Sequence, residues 1–334
     1  MRFGLALPQY GFSLPDGAPV DFDVAATWAR RAEEMGFDSV WLSDHFFYTF
    51  TRYGGDPAPI SALEPMTALA GLAAVTSRVR LGALVLCAPF RHPALLAKMA
   101  VTIDRISGGR LDVGLGAGWL EEEFDAFGFP YGGVGDRFAA LEEALAALAV
   151  LQSDGPGTYE GSTVALHDAR LLPAPVHGRV PVWVGGKGGP RLLRLIARYA
   201  DGWNVVWRVD LDDYARRVTS ARDAFDAAGR DPSTLRLSVG LYSLVGTDEH
   251  RARALFERGR ASFPGAAMDA DTWESWRADT LSGSPDQVAD RVGHLQDLGV
   301  EEIVVSPWVL PFAAHDPEIV DVLAQRVIGP RPAA

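Results

Sequence analysis

Residues 80–115 read RLGALVLCAPFRHPALLAKMAVTIDRISGGRLDVGL, and this stretch decides the fold. Arg80 to Leu86 is a short apolar run of the kind that forms a buried strand. Pro93 to Ser107 then carries a helical pattern, with Pro93 at a first turn, where its missing N–H costs nothing. Arg110 to Leu115 is a second apolar run. Strand, helix and strand in this order predict two parallel strands joined by a right-handed crossover, because a hairpin cannot join parallel neighbours.

The same unit repeats outward in both directions. Further runs lie at Arg2 to Leu7, Asp38 to Leu42, Pro181 to Val184, Gly202 to Val206, Arg236 to Tyr242 and Glu302 to Ser306. Periodic segments separate them at Asp21 to Met35, Pro65 to Ser77, Arg137 to Leu151, Pro190 to Tyr199, Leu211 to Ala228 and Pro285 to Leu298. In the last of these Val288, Val292, Leu295 and Leu298 fall on one helical face. Eight units predict an α/β protein with a (β/α)8 TIM barrel; a doubly wound open sheet would not usually need eight strands. Two excursions interrupt the rhythm, after strand 4 and after strand 7. Residues 119–180 are read as one helix followed by a hairpin turning at Tyr159-Glu160-Gly161-Ser162-Thr163, and residues 249–284 as helical, Trp-containing segments. With no linker or low-complexity tract, residues 1–334 are expected to form a single domain.

Composition narrows the function. With 48% hydrophobic and 22% charged residues among 334, the chain has apolar mass for a full core. A net charge of −12 argues against nucleic acid and against an anionic membrane surface as partners. Cys87 is the one cysteine, which excludes an internal disulfide and fits a reducing compartment. The apolar run at the N-terminus ends at Pro8, too soon for a signal-peptide core, and no stretch has the roughly eighteen apolar residues of a membrane span, so a cytoplasmic location is expected. His45, His92, His167, His177, His250, His294 and His315 contain no closely spaced pair, so no metal site is expected.

Barrel chemistry sits where strands end, so each run is followed outward. The ends carry Pro8-Gln9-Tyr10-Gly11, Ser43-Asp44-His45-Phe46, Cys87-Ala88-Pro89, Gly116-Ala117-Gly118-Trp119, Gly185-Gly186-Lys187-Gly188-Gly189, Asn204 and Ser306-Pro307-Trp308. Glycines 185 to 189 before a helix at Pro190 would let backbone N–H groups face a phosphate, with Lys187 or Arg191 adding charge. A plain flexible turn is the bland alternative. The glycines of 114–118 lack the spacing of a dinucleotide fingerprint; they permit a flat ring to approach the backbone, or simply tight packing. Asp44 and His45 are adjacent, so their side chains diverge: one can bond a cofactor while the other handles a proton, or both can pack at the rim. The aromatic loop Phe46 to Tyr53, including Tyr48, could wall an apolar pocket with Trp119 and Trp308. A lyase with Lys187 as Schiff base would need that lysine desolvated, which its glycine neighbours do not favour.

In these motifs the chain resembles the bacterial luciferase-like monooxygenase superfamily, and within it the branch that uses the deazaflavin coenzyme F420. The resemblance runs from Met1 to about Leu323 and rests on Arg31 to Trp41, Ser43 to Phe46, Thr76 to Gly82, His92-Pro93, Ser107 to Leu111, Gly114 to Trp119, Arg137, Gly185-Gly186, Ala200 to Trp203 and Ser284-Pro285. It implies a barrel with a flavin-type ring across the strand ends. By that resemblance Leu84-Val85 would carry a non-proline cis peptide behind the ring, and Asp44, Cys87, Gly116, Ala117 and Gly118 would line ring and ribityl chain. Gly185 and Gly186 would meet the phosphate, with Arg137 a further candidate there, and His45 would be the catalytic proton-handling residue.

The resemblance also implies a homodimer and, for the flavin alternative, a separate reductase supplying reduced coenzyme. Three departures bear on substrate. The glucose-6-phosphate dehydrogenase branch has a glutamate where Trp119 stands and a tryptophan where Thr49 stands, and it holds substrate phosphate with lysines that this chain lacks after Lys187. An F420-dependent oxidoreductase acting on a small apolar or aromatic molecule is therefore expected, with Trp119, Tyr48 and Trp308 as substrate residues. An FMN-dependent monooxygenase using O2 is the alternative, and a non-catalytic flavin-binding relative is the reading from another class.

Overall fold

The computed structural model describes residues 1–329. Eight strands stand side by side in chain order: β1 (Arg2–Ala6), β2 (Ser39–Leu42), β3 (Arg80–Ala83), β4 (Leu111–Gly116), β5 (Val182–Gly185), β6 (Gly202–Trp207), β7 (Arg236–Tyr242) and β8 (Val300–Ser306). Every neighbouring pair is parallel, and β8 pairs with β1, so the sheet closes into a barrel. Leu5 of β1 aligns with Val40 on one side and Val305 on the other.

Helices α1 (Phe22–Glu34), α2 (Pro65–Val75) and α3 (Pro93–Ser107) return the chain after the first three strands. Pro65 and Pro93 sit in first turns, after the capping side chains of Glu64 and His92. Among the described residues no helix is long and apolar enough to cross a membrane.

The insertion after β4 departs from the expected single helix. It holds α4 (Glu121–Phe127) and then α5 (Val134–Leu151), which begins three residues before Arg137. Three glutamates favour a helix start at α4, but Gly128 at φ 73° ends it within two turns, too short for a periodicity to show. The expected hairpin follows, Gly157–Glu160 against Ala165–Ala169. Its turn closes on Glu143, which accepts N–H bonds from Ser162, Thr163 and Val164 at 2.7–3.0 Å. Helices α6 (Pro190–Tyr199) and α7 (Leu211–Ala227) follow β5 and β6. The second insertion carries α8 (Glu249–Ala261) and α9 (Trp273–Asp279), before α10 (Pro285–Asp297) and, after β8, α11 (Pro317–Leu323).

Large rings and a buried polar network fill the barrel toward its N-terminal end. Trp41 lies so close over Gly82 that a Cβ there would sit 2.3 Å from the indole. Its Nε1 donates to Ser39 Oγ at 2.7 Å, and Ser39 in turn donates to the buried Glu302. Trp183 Nε1 donates to Asp112, whose other oxygen takes Arg80 Nε at 2.6 Å. Burial pushes the Glu302 carboxyl up, against the opposing pull of Arg2 and Ser39. This plug seals the lower barrel and leaves the upper end for a ligand.

Gly82→Ala should therefore cost stability, by about 1–3 kcal/mol for an overpacked core, read as a lower urea midpoint. Gly135→Ala in α5, where an added Cβ meets nothing within 4 Å, should leave the midpoint unchanged or raised.

Candidate active site

A cavity of about 610 Å³ opens at the C-terminal ends of the strands. Tyr10, the Ser43-Asp44-His45 turn, Leu84 to Cys87, Gly116 to Trp119, Gly185 to Lys187 and Asn204 all line it. The expected strand from Arg80 to Leu86 is broken there. After Ala83 the chain bulges through Leu84 and Val85, whose peptide bond is cis, and resumes pairing with β4 at Leu86–Cys87. A Cβ on Gly116 or Gly185 would come within 2.7 Å of the Val85 methyls, and one on Gly114 within 2.1 Å of the Ala83 carbonyl. The glycines read as room for a flat ring thus first make room for the chain's own bulge.

The bulge is tied from below by a charged chain. Asp44, 4% exposed, accepts the Cys87 N–H at 2.8 Å and both Arg91 nitrogens at 2.5 and 2.9 Å. Arg91 also bonds Glu64 at 2.5 Å. Burial alone would lower the Arg91 pKa, but the two carboxylates more than offset it and hold the guanidinium charged. Burial, with the negative charges of Asp44 and Glu123, pushes the Cys87 thiol well up. Cys87 is a neutral wall residue, not a nucleophile.

His45 turns the opposite way, as adjacent residues should. Its Nδ1 lies 2.7 Å from Oε2 of Glu123, a residue only 1% exposed. The other Glu123 oxygen accepts the Phe46 N–H at 2.5 Å. Three rings surround the imidazole: Tyr10, Tyr48 and Trp119, at centroid distances of 6.1, 5.4 and 5.6 Å. Burial raises the pKa of both phenols, so they remain neutral hydroxyls. Arg52 caps Trp119, its guanidinium 5.1 Å from the ring centroid.

Sequence reading missed Glu123. It stands in a run of three glutamates, and only helical phase separates it from its neighbours: Leu120, Glu123 and Phe124 share the buried face of α4.

Gly186 and Lys187 line the cavity just before α6, whose N-cap Gly189 offers no capping side chain. Pro190 opens that helix, where its missing N–H leaves nothing to cap at that position. Arg191 is turned away, donating to the Gly135 carbonyl and lying over Phe138. On β6, Asn204 is 3% exposed; its Nδ2 donates to Ser238 at 2.8 Å, while its Oδ1 has no partner.

Two expected site residues lie elsewhere. Arg137 packs on Tyr131, 3.9 Å from the ring centroid, and donates to the Gly132 carbonyl at 2.9 Å. It lines a separate cleft with Arg52 and Glu121, across Trp119 from the cavity, because α5 starts early enough to carry it past the rim. Trp308 is in the core. The chain after β8 folds back on Ser306, which accepts the Phe312 N–H at 3.0 Å and donates to the Leu310 carbonyl. That fold stacks Trp308 on His315 and brings Pro311 and Phe312 to the cavity instead.

A closed barrel with a mostly apolar cavity at its strand ends and a His–carboxylate pair in the cavity wall has the make-up of a barrel enzyme's active site. The family pattern of the luciferase-like monooxygenases matches residues 1–302, and the chain belongs to that family of oxidoreductases. A phthiodiolone/phenolphthiodiolone dimycocerosates ketoreductase of Mycobacterium tuberculosis is 30% identical over 359 aligned positions, covering 91% of each chain. Among solved structures, an F420-dependent secondary alcohol dehydrogenase in complex with an F420–acetone adduct superposes at TM-score 0.78, with 18% identity and 98% of each chain covered. The oxygenating constituent of 3,6-diketocamphane monooxygenase from Pseudomonas putida, in complex with FMN, does so at 0.73, with 21% identity and 98% of each chain covered. At these identities the superpositions establish the barrel.

In the folded protein Cys87 should react with a disulfide reagent such as dithionitrobenzoate at pH 8 at least about 100-fold more slowly than free cysteine, and at the free rate once urea unfolds the chain. Rapid native labelling would contradict the buried, neutral thiol.

Proposed function

We propose that this protein is an F420-dependent oxidoreductase that moves a hydride between the deazaflavin and a small apolar organic molecule bearing an alcohol or carbonyl carbon. The observation that carries this reading is His45, fixed by a buried carboxylate, ringed by aromatic side chains and facing the same cavity as the Val85 bulge.

Interconverting an alcohol and a ketone moves one hydride and one proton. When bound, the coenzyme supplies the site that accepts or donates the hydride. His45 supplies the proton site: with Nδ1 held by Glu123, its Nε2 is the nitrogen left for a substrate oxygen. Tyr10, Tyr48 and Trp119 exclude water from around that oxygen and favour an apolar substrate.

The other residues fit a flavin-type group. Leu84 and Val85 offer an apolar face to a flat ring, and Gly116 to Gly118 offer backbone without side-chain bulk. The unpaired Asn204 oxygen is an acceptor awaiting an N–H or O–H from a ligand. Gly185, Gly186, Lys187 and the open α6 N-terminus suit a phosphate. The relative named for a ketoreductase supports the choice of carbonyl chemistry. This reading keeps Trp119 and Tyr48 against the substrate and drops Trp308 and Arg137 from the site.

Titrating the coenzyme-free protein with F420 and with FMN, followed by fluorescence, should give micromolar binding of F420 and weaker binding of FMN. Micromolar FMN binding without F420 binding would support the monooxygenase instead. His45→Ala should keep F420 affinity within about tenfold and lower turnover by about 100-fold or more. Trp119→Ala should raise KM for an apolar alcohol more than it weakens F420 binding; the reverse pattern would put Trp119 in the coenzyme site.

A further inference from the structure

Glu123 has two oxygens and the backbone N–H groups take only one of them, which constrains the chemistry of His45. The Phe46 backbone N–H can only donate, and it takes Oε1 at 2.5 Å. The Phe47 N–H leans on the same oxygen at 3.4 Å. Oε2 is left facing His45 Nδ1 at 2.7 Å, a distance typical of a charge-assisted N–H to carboxylate bond. The Cys87 amide and Arg91 both donate to Asp44, so neither bonds Glu123.

We infer that Glu123 is a positioning residue that locks His45 in the tautomer with the proton on Nδ1, leaving Nε2 as an unprotonated acceptor toward the cavity. The inference deepens the function proposed above and rests on it for its catalytic meaning. In the oxidative direction the substrate O–H bond breaks and its proton passes to Nε2. The C–H bond of the same carbinol carbon would break as the C=O bond forms, its hydride being what a bound coenzyme would take up. The imidazolium so produced faces the Glu123 carboxylate, which stabilises it. In the reductive direction the same proton returns to the alkoxide oxygen. The opposite tautomer would present an N–H to the alcohol and could take no proton from it.

The substitution that discriminates is Glu123→Gln. An amide has one acceptor oxygen. If that oxygen keeps the Phe46 N–H, the NH₂ group faces His45 and can only donate to Nδ1, which drives the ring proton to Nε2. The shape of the side chain barely changes, so the fold and F420 affinity should persist, checked by circular dichroism and the coenzyme titration.

The tautomer is read directly from long-range ¹H–¹⁵N correlation spectra of ¹⁵N-histidine-labelled protein at pH 8, without coenzyme or substrate, with His45 assigned by its loss in His45→Gln. The expected result is a protonated, pyrrole-type Nδ1 and a bare Nε2 in the wild type, exchanged in Glu123→Gln. Oxidation of a secondary alcohol by Glu123→Gln should then fall by about 100-fold or more in kcat with KM within about threefold. Three results would overturn the inference: a proton on Nε2 in the wild type, an unchanged tautomer in the folded variant, or a flipped tautomer with undiminished kcat. Because the spectrum needs no ligand, failure of F420 binding would remove the proposed function while leaving the tautomer assignment to stand or fall separately.

Discussion

The methyl groups of Val85 occupy the space that side chains at positions 116 and 185 would need. Close packing at this point shapes the whole upper barrel. Because β4 and β5 present bare backbone, β3 can leave its line after Ala83, bulge inward and rejoin at Leu86. The bulge brings Leu84, Val85 and Cys87 to the cavity wall and sets the Cys87 N–H where Asp44 accepts it. A side chain at position 116 or 185 would push the bulge into the cavity and close the room a ligand needs.

Two buried carboxylates share this cavity, and their partners give them different work. Asp44 is committed to Arg91 and the Cys87 amide, so it holds the bulge. Glu123 is committed to His45 and the amide of Phe46, so it sets the direction of one imidazole. An ionised carboxylate buried alone would be costly. Each is compensated by donors the fold supplies, Arg91 in one case and backbone plus imidazole in the other. The remaining unpaired polar atom of the wall is Asn204 Oδ1. It lies beside Gly185 on the neighbouring strand.

The barrel was legible because strand and helix periods repeat over the whole chain, and a period of eight units outlasts any single misreading. The Pro65, Pro93, Pro190 and Pro285 signals lie in first turns for the same local reason, a missing N–H that no helix needs there. What escaped the sequence is tertiary. Nothing local tells that Glu123 rather than Glu121 or Glu122 faces His45, since a seven-residue helix carries too few turns for its buried face to stand out. Trp308 follows the last strand, as a rim residue should, yet Ser306 folds that loop back and buries it. Arg137 has the right sequence neighbourhood, and the early start of α5 turns it onto Tyr131. Strand ends predict which residues gather at a rim; loop geometry decides which of them face inward.

The central claim is that this cavity passes a hydride between an alcohol carbon and a deazaflavin. Incubating the protein with F420 and a secondary alcohol deuterated at the carbinol carbon, then examining the recovered coenzyme by NMR, tests it most directly. The account predicts deuterium on the reduced coenzyme in amount equal to the ketone formed, without O2 consumption. Reduced coenzyme free of deuterium, or ketone formation that requires reduced FMN and consumes O2, would contradict it.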